Sequence, residues 1–379
     1  MHSTALEFMS VPRVVMREGL ANDLAPFVRD LNGSSVLLIT DAGLLRTGLI
    51  EPAKASLVRA GLAVSVYSDV EADPPVAVIE AAVEAGRRAK ANVVLGIGGG
   101  STLDTAKLAA YLLGSGDRLD GIYGVGKATG KRLPLMLVPT TAGTGSEVTP
   151  ISIVTTVDGK QGVVAQKLLP DIALLDPRLT LSMPSAASAA TGIDAIVHAV
   201  EAFTSRIRKN PISDTFAKES LRLLSSHLIH VLREPGHLGA RGAMLLGACL
   251  AGMAFANAPV AAVHALAYPL GVRYHAPHGL TNALMLLPVL RFNLGAAESL
   301  YAELAEELGL RAATSEGFIQ HIEALLHASE LPLRLRDIGA TVDDIPALAQ
   351  SAMQQTRLLV NNPREITLED AVALYQAAY

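Results

Sequence analysis

Ala91-Asn92-Val93-Val94-Leu95-Gly96-Ile97-Gly98-Gly99-Gly100-Ser101 joins an aliphatic, β-branched run to three consecutive glycines and a hydroxyl residue. Ala91 to Ile97 reads as a strand, and Thr102 to Leu113 after it reads as a helix with Ser101 as its N-cap. In such a turn the glycines let the backbone approach a phosphate, and the free amides and dipole of the first helical turn favour an anion. An ordinary strand-to-helix turn needs fewer than three glycines in a row. The dinucleotide fingerprint Gly-x-Gly-x-x-Gly is nevertheless not met, because Ser101 stands where its third glycine belongs.

Outward from this turn, short aliphatic runs alternate with helical stretches up to about residue 180, the pattern of a parallel α/β sheet. The strand runs are Ser35 to Thr40, Ala63 to Tyr67, Ala91 to Ile97, Leu135 to Val138 and Ile151 to Val157, the last turning at Asp158-Gly159 into Gly162 to Ala165. Leu45 to Ala60, Pro75 to Ala89 and Ser101 to Leu113 read as helices. After Met183-Pro184 the strand signal stops, and the rest reads as successive helices. The expected organisation is an α/β domain over 1–183 and an all-α domain over 184–379, with a catalytic cleft between them.

With 379 residues, 50% hydrophobic and 18% charged, the chain has material for two packed domains and no signature of disorder. Its net charge of −5 gives no electrostatic reason to expect nucleic acid or an anionic membrane as partner. The lone Cys249 excludes an intramolecular disulfide and fits a reducing compartment, and Met1 to Arg13 lacks the layout of a signal peptide, so the cytoplasm is expected. The charge-free stretch Ala243 to Val263 is long enough to span a bilayer. Its Ala and Gly content, with Asn257 and Pro259 as interruptions, reads instead as a buried helix. Gly121 to Lys127 imitates a nucleotide-binding Gly-x4-Gly-Lys, but Ala128 replaces the magnesium-binding hydroxyl and no strand precedes it, so it reads as a solvated loop.

Asp194 and His198, four apart, share one face of a helix, and His264 and His278 follow in apolar or small-residue surroundings. One carboxylate and three imidazoles make a four-ligand metal site. The segment Pro139 to Thr149 offers Thr140, Thr141, Thr144 and flexible amides after the strand Leu135 to Val138, where α/β proteins hold ligands. Asp41, after Ser35 to Thr40, fits a ribose diol or, equally, a helix cap.

Gly98 to Lys107, Pro139 to Thr149, Gly192-Ile193-Asp194-Ala195-Ile196-Val197-His198-Ala199 with Glu201-Ala202, and Pro277-His278-Gly279 together resemble the signature segments of the iron-containing (group III) alcohol dehydrogenases. The resemblance runs on to Asn362-Pro363-Arg364. It implies a Rossmann-like N-terminal domain and a helical C-terminal domain, a fold shared with dehydroquinate synthase, often paired as a homodimer. It implies Asp194, His198, His264 and His278 as ligands of ferrous iron or zinc, and NAD held by Gly98, Gly99, Gly100, Ser101, Asp104, Thr140, Thr141 and Thr144. Asp41 falls on the position facing the adenosine ribose, and Lys160 on the lysine bordering the nicotinamide.

Two departures matter. Where many relatives have His-x3-His-Pro, this chain reads His264-Ala265-Leu266-Ala267-Tyr268-Pro269, so proton relay falls to Tyr268 or His275, unless Tyr268 only packs. Arg273, in Val272-Arg273-Tyr274-His275, fits a substrate carboxylate or a solvated surface position. The function implied is hydride transfer between NAD and a small alcohol, aldehyde or ketone. A hydroxyacid such as 4-hydroxybutyrate is a variant, and a dehydroquinate synthase-like lyase the alternative; a non-catalytic scaffold has no use for four converging ligands.

Overall fold

The computed structural model describes residues 6–157 and 159–379. They form two units, one of residues 9–141 and 145–182, the other of residues 183–379 with 6–8 and 142–144.

The first unit contains strands β1 (Arg13–Met16), β2 (Ser35–Ile39), β3 (Ala63–Tyr67), β4 (Val93–Gly98), β5 (Gly124–Val125), β6 (Leu135–Pro139), β7 (Ile151–Thr156), β8 (Gly159–Val164) and β9 (Ile172–Leu175). Its helices are α1 (Ala25–Asp30), α2 (Ala42–Arg46), α3 (Glu51–Arg59), α4 (Val76–Arg88) and α5 (Gly100–Ser115). Six strands pair in the order β1-β9-β6-β4-β2-β3, every pair parallel. Strand periodicity sorts their side chains into two layers: Leu37, Ile39, Val94, Leu135 and Leu137 pack with residues of α4 and α5, while Val36, Leu38, Leu95, Met136 and Val138 pack with those of α1 and α3. Burial on both faces is why β2, β4 and β6 read as unbroken apolar runs.

β3 lies outside β2, while β4 returns to the other flank of β2 and the sheet then grows through β6. The strand order therefore reverses between β2 and β4, whose Ile39 and Gly96 are register partners, and the carboxyl ends of those strands flank the crevice where such sheets take ligands.

Several boundaries differ from the sequence reading. The expected helix Leu45 to Ala60 is two helices, α2 and α3, parted around Gly48, which adopts a left-handed φ of 72°. The helix after the glycines begins at Gly100 with Gly99 as its N-cap, so Ser101 is inside the first turn and is not the cap. β1 and β9 were not anticipated: β1 is four residues and largely exposed, and β9, Ile172-Ala173-Leu174-Leu175, is wholly buried and lacks alternation. Gly121 to Lys127 is not wholly a solvated loop, since Ile122 is buried and β5 pairs with β8. β8 pairs antiparallel with β7 and starts earlier than expected, at Gly159; Asp158 of the expected turn lies outside the described residues.

The second unit is helical: α6 (Ser185–Thr204), α7 (Pro211–Arg233), α8 (Leu238–Asn257), α9 (Ala262–Tyr274), α10 (His278–Glu307), α11 (Ser315–Ala328), α12 (Ile345–Met353), α13 (Thr356–Leu359) and α14 (Leu368–Ala378). α8 and α10 are long and apolar enough to cross a membrane, yet 72% of the apolar window of α8 and 56% of that of α10 is buried inside the protein. The charge-free stretch Ala243 to Val263 is thus mostly core helix, ending at Asn257, whose amide turns back onto Met253 O. From Ser188 onward α6 is buried along nearly its whole length.

Candidate active site

At the reversal point, the glycine turn lies against the end of β6. Gly98 is the register partner of Pro139, and the Thr140 amide donates to Gly98 O at 3.0 Å. Any side chain at Gly98 would meet Thr102 at 2.5 Å, so close strand-to-helix packing requires glycine there. Thr141 is beside Gly99, with its hydroxyl 3.7 Å from where a Cβ would stand. The structure therefore brings Gly98, Gly99, Gly100, Ser101, Thr140 and Thr141 to one sheet edge. Thr144 belongs to the stretch 142–144, which groups with the helical unit. Asp41 sits at the end of β2 and N-caps α2 through the Leu44 amide at 2.9 Å. Its second oxygen keeps accepting capacity.

Ser101 Oγ accepts from the Asp73 amide at 3.2 Å, and Asp73 in turn takes the Lys160 ammonium at 2.7 Å and anchors Thr155 Oγ1 through its carbonyl at 2.8 Å. Lys160 is thus linked to the glycine turn through Asp73, a residue for which no sequence motif called. Asp104 is engaged within the protein. One carboxylate oxygen accepts from Ser146 Oγ at 2.6 Å, the other from the Ile153 amide at 2.9 Å, and Lys107 lies at 3.0 Å. The fully buried Lys107 also donates to Thr149 Oγ1 at 3.2 Å and to Ile151 O. Burial pulls this ammonium below its usual pKa against the opposing charge of Asp104. The pair fastens α5 to the chain that follows β6, and both carboxylate oxygens of Asp104 are occupied internally.

In the helical unit, Asp194, His198 and Glu201 fall at i, i+4 and i+7 of α6, one buried face. α9 brings His264 and α10 begins on His278. Gly279 lets the first turn of α10 lie directly on the α6 backbone at Ala190, where any side chain would collide. One ligand atom from each of Asp194, His198, His264 and His278 lies within 4.8 Å of the others. Asp194 Oδ1 is 4.0 Å from His198 Nε2, 4.0 Å from His264 Nε2 and 3.7 Å from His278 Nε2. Burial pushes the Asp194 carboxyl up, but His198, His278, His264 and the Asn282 amide outweigh it, leaving it below its ordinary value. Burial drives His198 down to about 3, the neutral form that a ligand needs.

The donor set suits a borderline divalent cation such as Fe2+ or Zn2+. Lone pairs crowd one point, and the Asn282 amide is drawn into them: its Nδ2 is 2.6 Å from Asp194 Oδ1 and 3.3 Å from Nε2 of both His264 and His278, while its buried Oδ1 has no partner. Three of the four residues are buried, but the side chain of His278 is 35% exposed, so the cluster opens on that side.

Around it, Phe255 stacks on His198 at 4.4 Å and the Tyr268 ring is 5.8 Å from that of His278. Phe255, Tyr268 and Leu359 pack with Val260, Ala265 and Leu358 as one apolar cluster. His275 is exposed and closes α9 in a left-handed conformation. The half-exposed Arg273 is paired with Asp344.

Glu201 and Asn282 are the site residues that sequence reasoning left without a role. Glu201 stood within a quoted signature, and its i+7 spacing from Asp194 placed it on the ligand face.

The family described as iron-containing alcohol dehydrogenase matches residues 12–177, and the description Fe-containing alcohol dehydrogenase family, C-terminal, matches residues 188–379. Long-chain-alcohol dehydrogenase 1 of Geobacillus thermodenitrificans is 38% identical over 390 aligned positions, covering 98% of each chain. A solved 1,3-propanediol oxidoreductase superposes with a TM-score of 0.95 at 32% identity, covering 99% of this chain and 100% of that one. The sulfoacetaldehyde reductase of Bifidobacterium kashiwanohense, solved in complex with NAD+, gives a TM-score of 0.91 at 29% identity and 99% coverage of both chains.

Proposed function

The chain belongs to the iron-containing alcohol dehydrogenase family, and from that premise we propose that it moves a hydride between NAD(H) and a small uncharged alcohol and its carbonyl partner. The convergence of Asp194, His198, His264 and His278 within 4.8 Å, open at His278, carries this reading. A divalent cation bound by these four side chains supplies Lewis acidity toward the substrate oxygen.

The protein's own groups do the rest. The amides of the glycine turn and the start of α5 offer donors to a pyrophosphate, with Thr140 and Thr141 alongside. Asp41 has a free acceptor for a ribose diol, and Lys160 is tied to the same turn through Asp73. Tyr268 is favoured over His275 as the proton carrier, because its ring adjoins His278 whereas His275 is exposed. Phe255 against His198 and Tyr268 against His278 set aromatic rings beside the cluster, which suits a carbon chain. The lone cysteine, buried in α8, fits a reducing compartment and supports a cytoplasmic setting.

The test is turnover of a panel of alcohols, diols and hydroxyacids with NAD on protein reconstituted with iron or zinc. Because Arg273 is committed to Asp344, uncharged alcohols should exceed 4-hydroxybutyrate in kcat/KM, and Arg273→Leu should leave their ratio within about twofold. A lost charge-assisted substrate contact is worth about 1.5–3 kcal/mol, so a roughly tenfold or larger fall confined to the hydroxyacid would return Arg273 to the substrate.

Cofactor choice follows from Asp41. A carboxylate that accepts from ribose hydroxyls repels a 2′-phosphate, so NAD should be preferred and Asp41→Gly should narrow the preference by tens of fold, on the order of 2 kcal/mol. Glycine in place of an aspartate cap costs only about a few tenths of a kcal/mol, so the protein should stay folded. A wild-type chain that used NADP better than NAD would remove Asp41 from the ribose.

A further inference from the structure

Glu201 is 4% exposed and touches no reacting group, yet its carboxylate holds three donors at once. Oε2 accepts from the Ala261 amide at 2.9 Å, Oε1 accepts from the Val263 amide at 2.6 Å, and His264 Nδ1 lies 2.7 Å from Oε2. Two neighbouring contacts hold the same stretch of chain: Ser205 Oγ donates to Pro259 O at 2.8 Å and Asn361 Nδ2 to Val260 O at 2.8 Å. The segment 259–263, which delivers His264 from the end of α8 to the start of α9, thus hangs from buried side chains. Only the one from Glu201 also reaches the imidazole.

The chemistry of that contact decides the state of the ring. An ionised carboxylate only accepts, and Oε2 takes both the Ala261 N–H and the imidazole, so the ring nitrogen facing it donates. The His264 proton is therefore on Nδ1, and Nε2, on the far side of the ring, keeps the lone pair that faces Asp194 and Asn282. Neutral imidazole has two tautomers, and only this one presents a ligand atom to the cluster.

We propose that Glu201 is a positioning residue that acts through His264: it selects the Nδ1–H tautomer and fixes the ring before any cation arrives. This rests on the four-ligand reading of Asp194, His198, His264 and His278. The same carboxylate joins α6, which carries two of the ligands, to the segment that brings the third, so ligand geometry and loop closure are set by one group.

Glu201→Gln preserves size but replaces one acceptor by an NH2 group. With the amide oxygen toward His264, the NH2 opposes the Val263 N–H. With the NH2 toward His264, the ring must accept at Nδ1, which moves its proton to Nε2 and removes the ligand lone pair. Zinc affinity of the full chain, measured by competition with a chromophoric chelator, should fall by about 10- to 100-fold, while circular dichroism keeps the wild-type helical signal. In metal-free protein labelled with 15N-histidine, wild-type His264 should show the Nδ1–H tautomer and Glu201→Gln a gain of the Nε2–H form.

A role confined to the loop is separated by two further variants. Ser205→Ala frees the Pro259 carbonyl but leaves His264 alone, and its zinc affinity should stay within about threefold of wild type, against the 10- to 100-fold of a residue supporting a ligand. Added to His264→Ala, Glu201→Gln should cost almost nothing more, because the group it acts through is gone. Additive losses in that double variant, or a Glu201→Gln chain that binds zinc like wild type, would overturn the proposal. Failure of the wild type itself to bind zinc or iron tightly would instead overturn the four-ligand reading.

Discussion

His278→Ala is expected to lose most of its bound metal and nearly all turnover while remaining folded. Its side chain is 35% exposed at the start of α10, so truncation leaves little buried space, and the Asn282 amide still donates to Asp194. The loss falls on chemistry: Lewis-acid stabilisation is worth several kcal/mol, and at about 1.4 kcal/mol per tenfold this is a hundredfold to a thousandfold or more in rate. His264→Ala should lose as much and also weaken the fold by about 1–3 kcal/mol, because Glu201 is left buried without one of its donors. His275→Ala, exposed beyond the end of α9, should keep its metal content. Metal analysis and kcat on the three variants check this together. Full activity in His278→Ala would remove that residue from the ligand set.

What sequence reading reached, and what it missed, divides by the range of the interactions. β2, β4 and β6 were legible because a parallel strand covered on both faces carries its own signal, an apolar run bounded by turn residues, and the edge strand β3 through its β-branched alternation. Asp194 and His198 were legible because helical periodicity puts residues four apart on one face. β1 was not legible: its exposed pattern is set by pairing with β9, which is distant in the chain. Commitments of charged groups were hidden for the same reason. The partner of Arg273 is Asp344, 71 residues away, and one of the partners of Asp104 is Ile153, 49 residues away. A motif reports that a residue type is wanted at a place, while its partner is chosen by the tertiary fold.

Asp104 is where that distinction has the largest consequence for stability. Asp104→Ala should leave the wholly buried Lys107 ammonium without its carboxylate and strip an acceptor from both Ser146 Oγ and the Ile153 amide. Removing one partner of a buried pair costs about 3–5 kcal/mol, because the remaining charge stays desolvated. At roughly 2–4 °C per kcal/mol for a unit of this size, the unfolding midpoint should drop by about 6–20 °C. Replacing both members, as in Asp104→Asn with Lys107→Met, removes the charge and keeps an acceptor for Ile153, so most of the loss should be recovered. NAD affinity, measured well below the unfolding range, should change by less than about tenfold, since the carboxylate is occupied by the protein itself. The opposite pattern, unchanged stability with NAD binding abolished, would mean that Asp104 meets the cofactor directly, and the clasp between α5 and the segment after β6 would have no role.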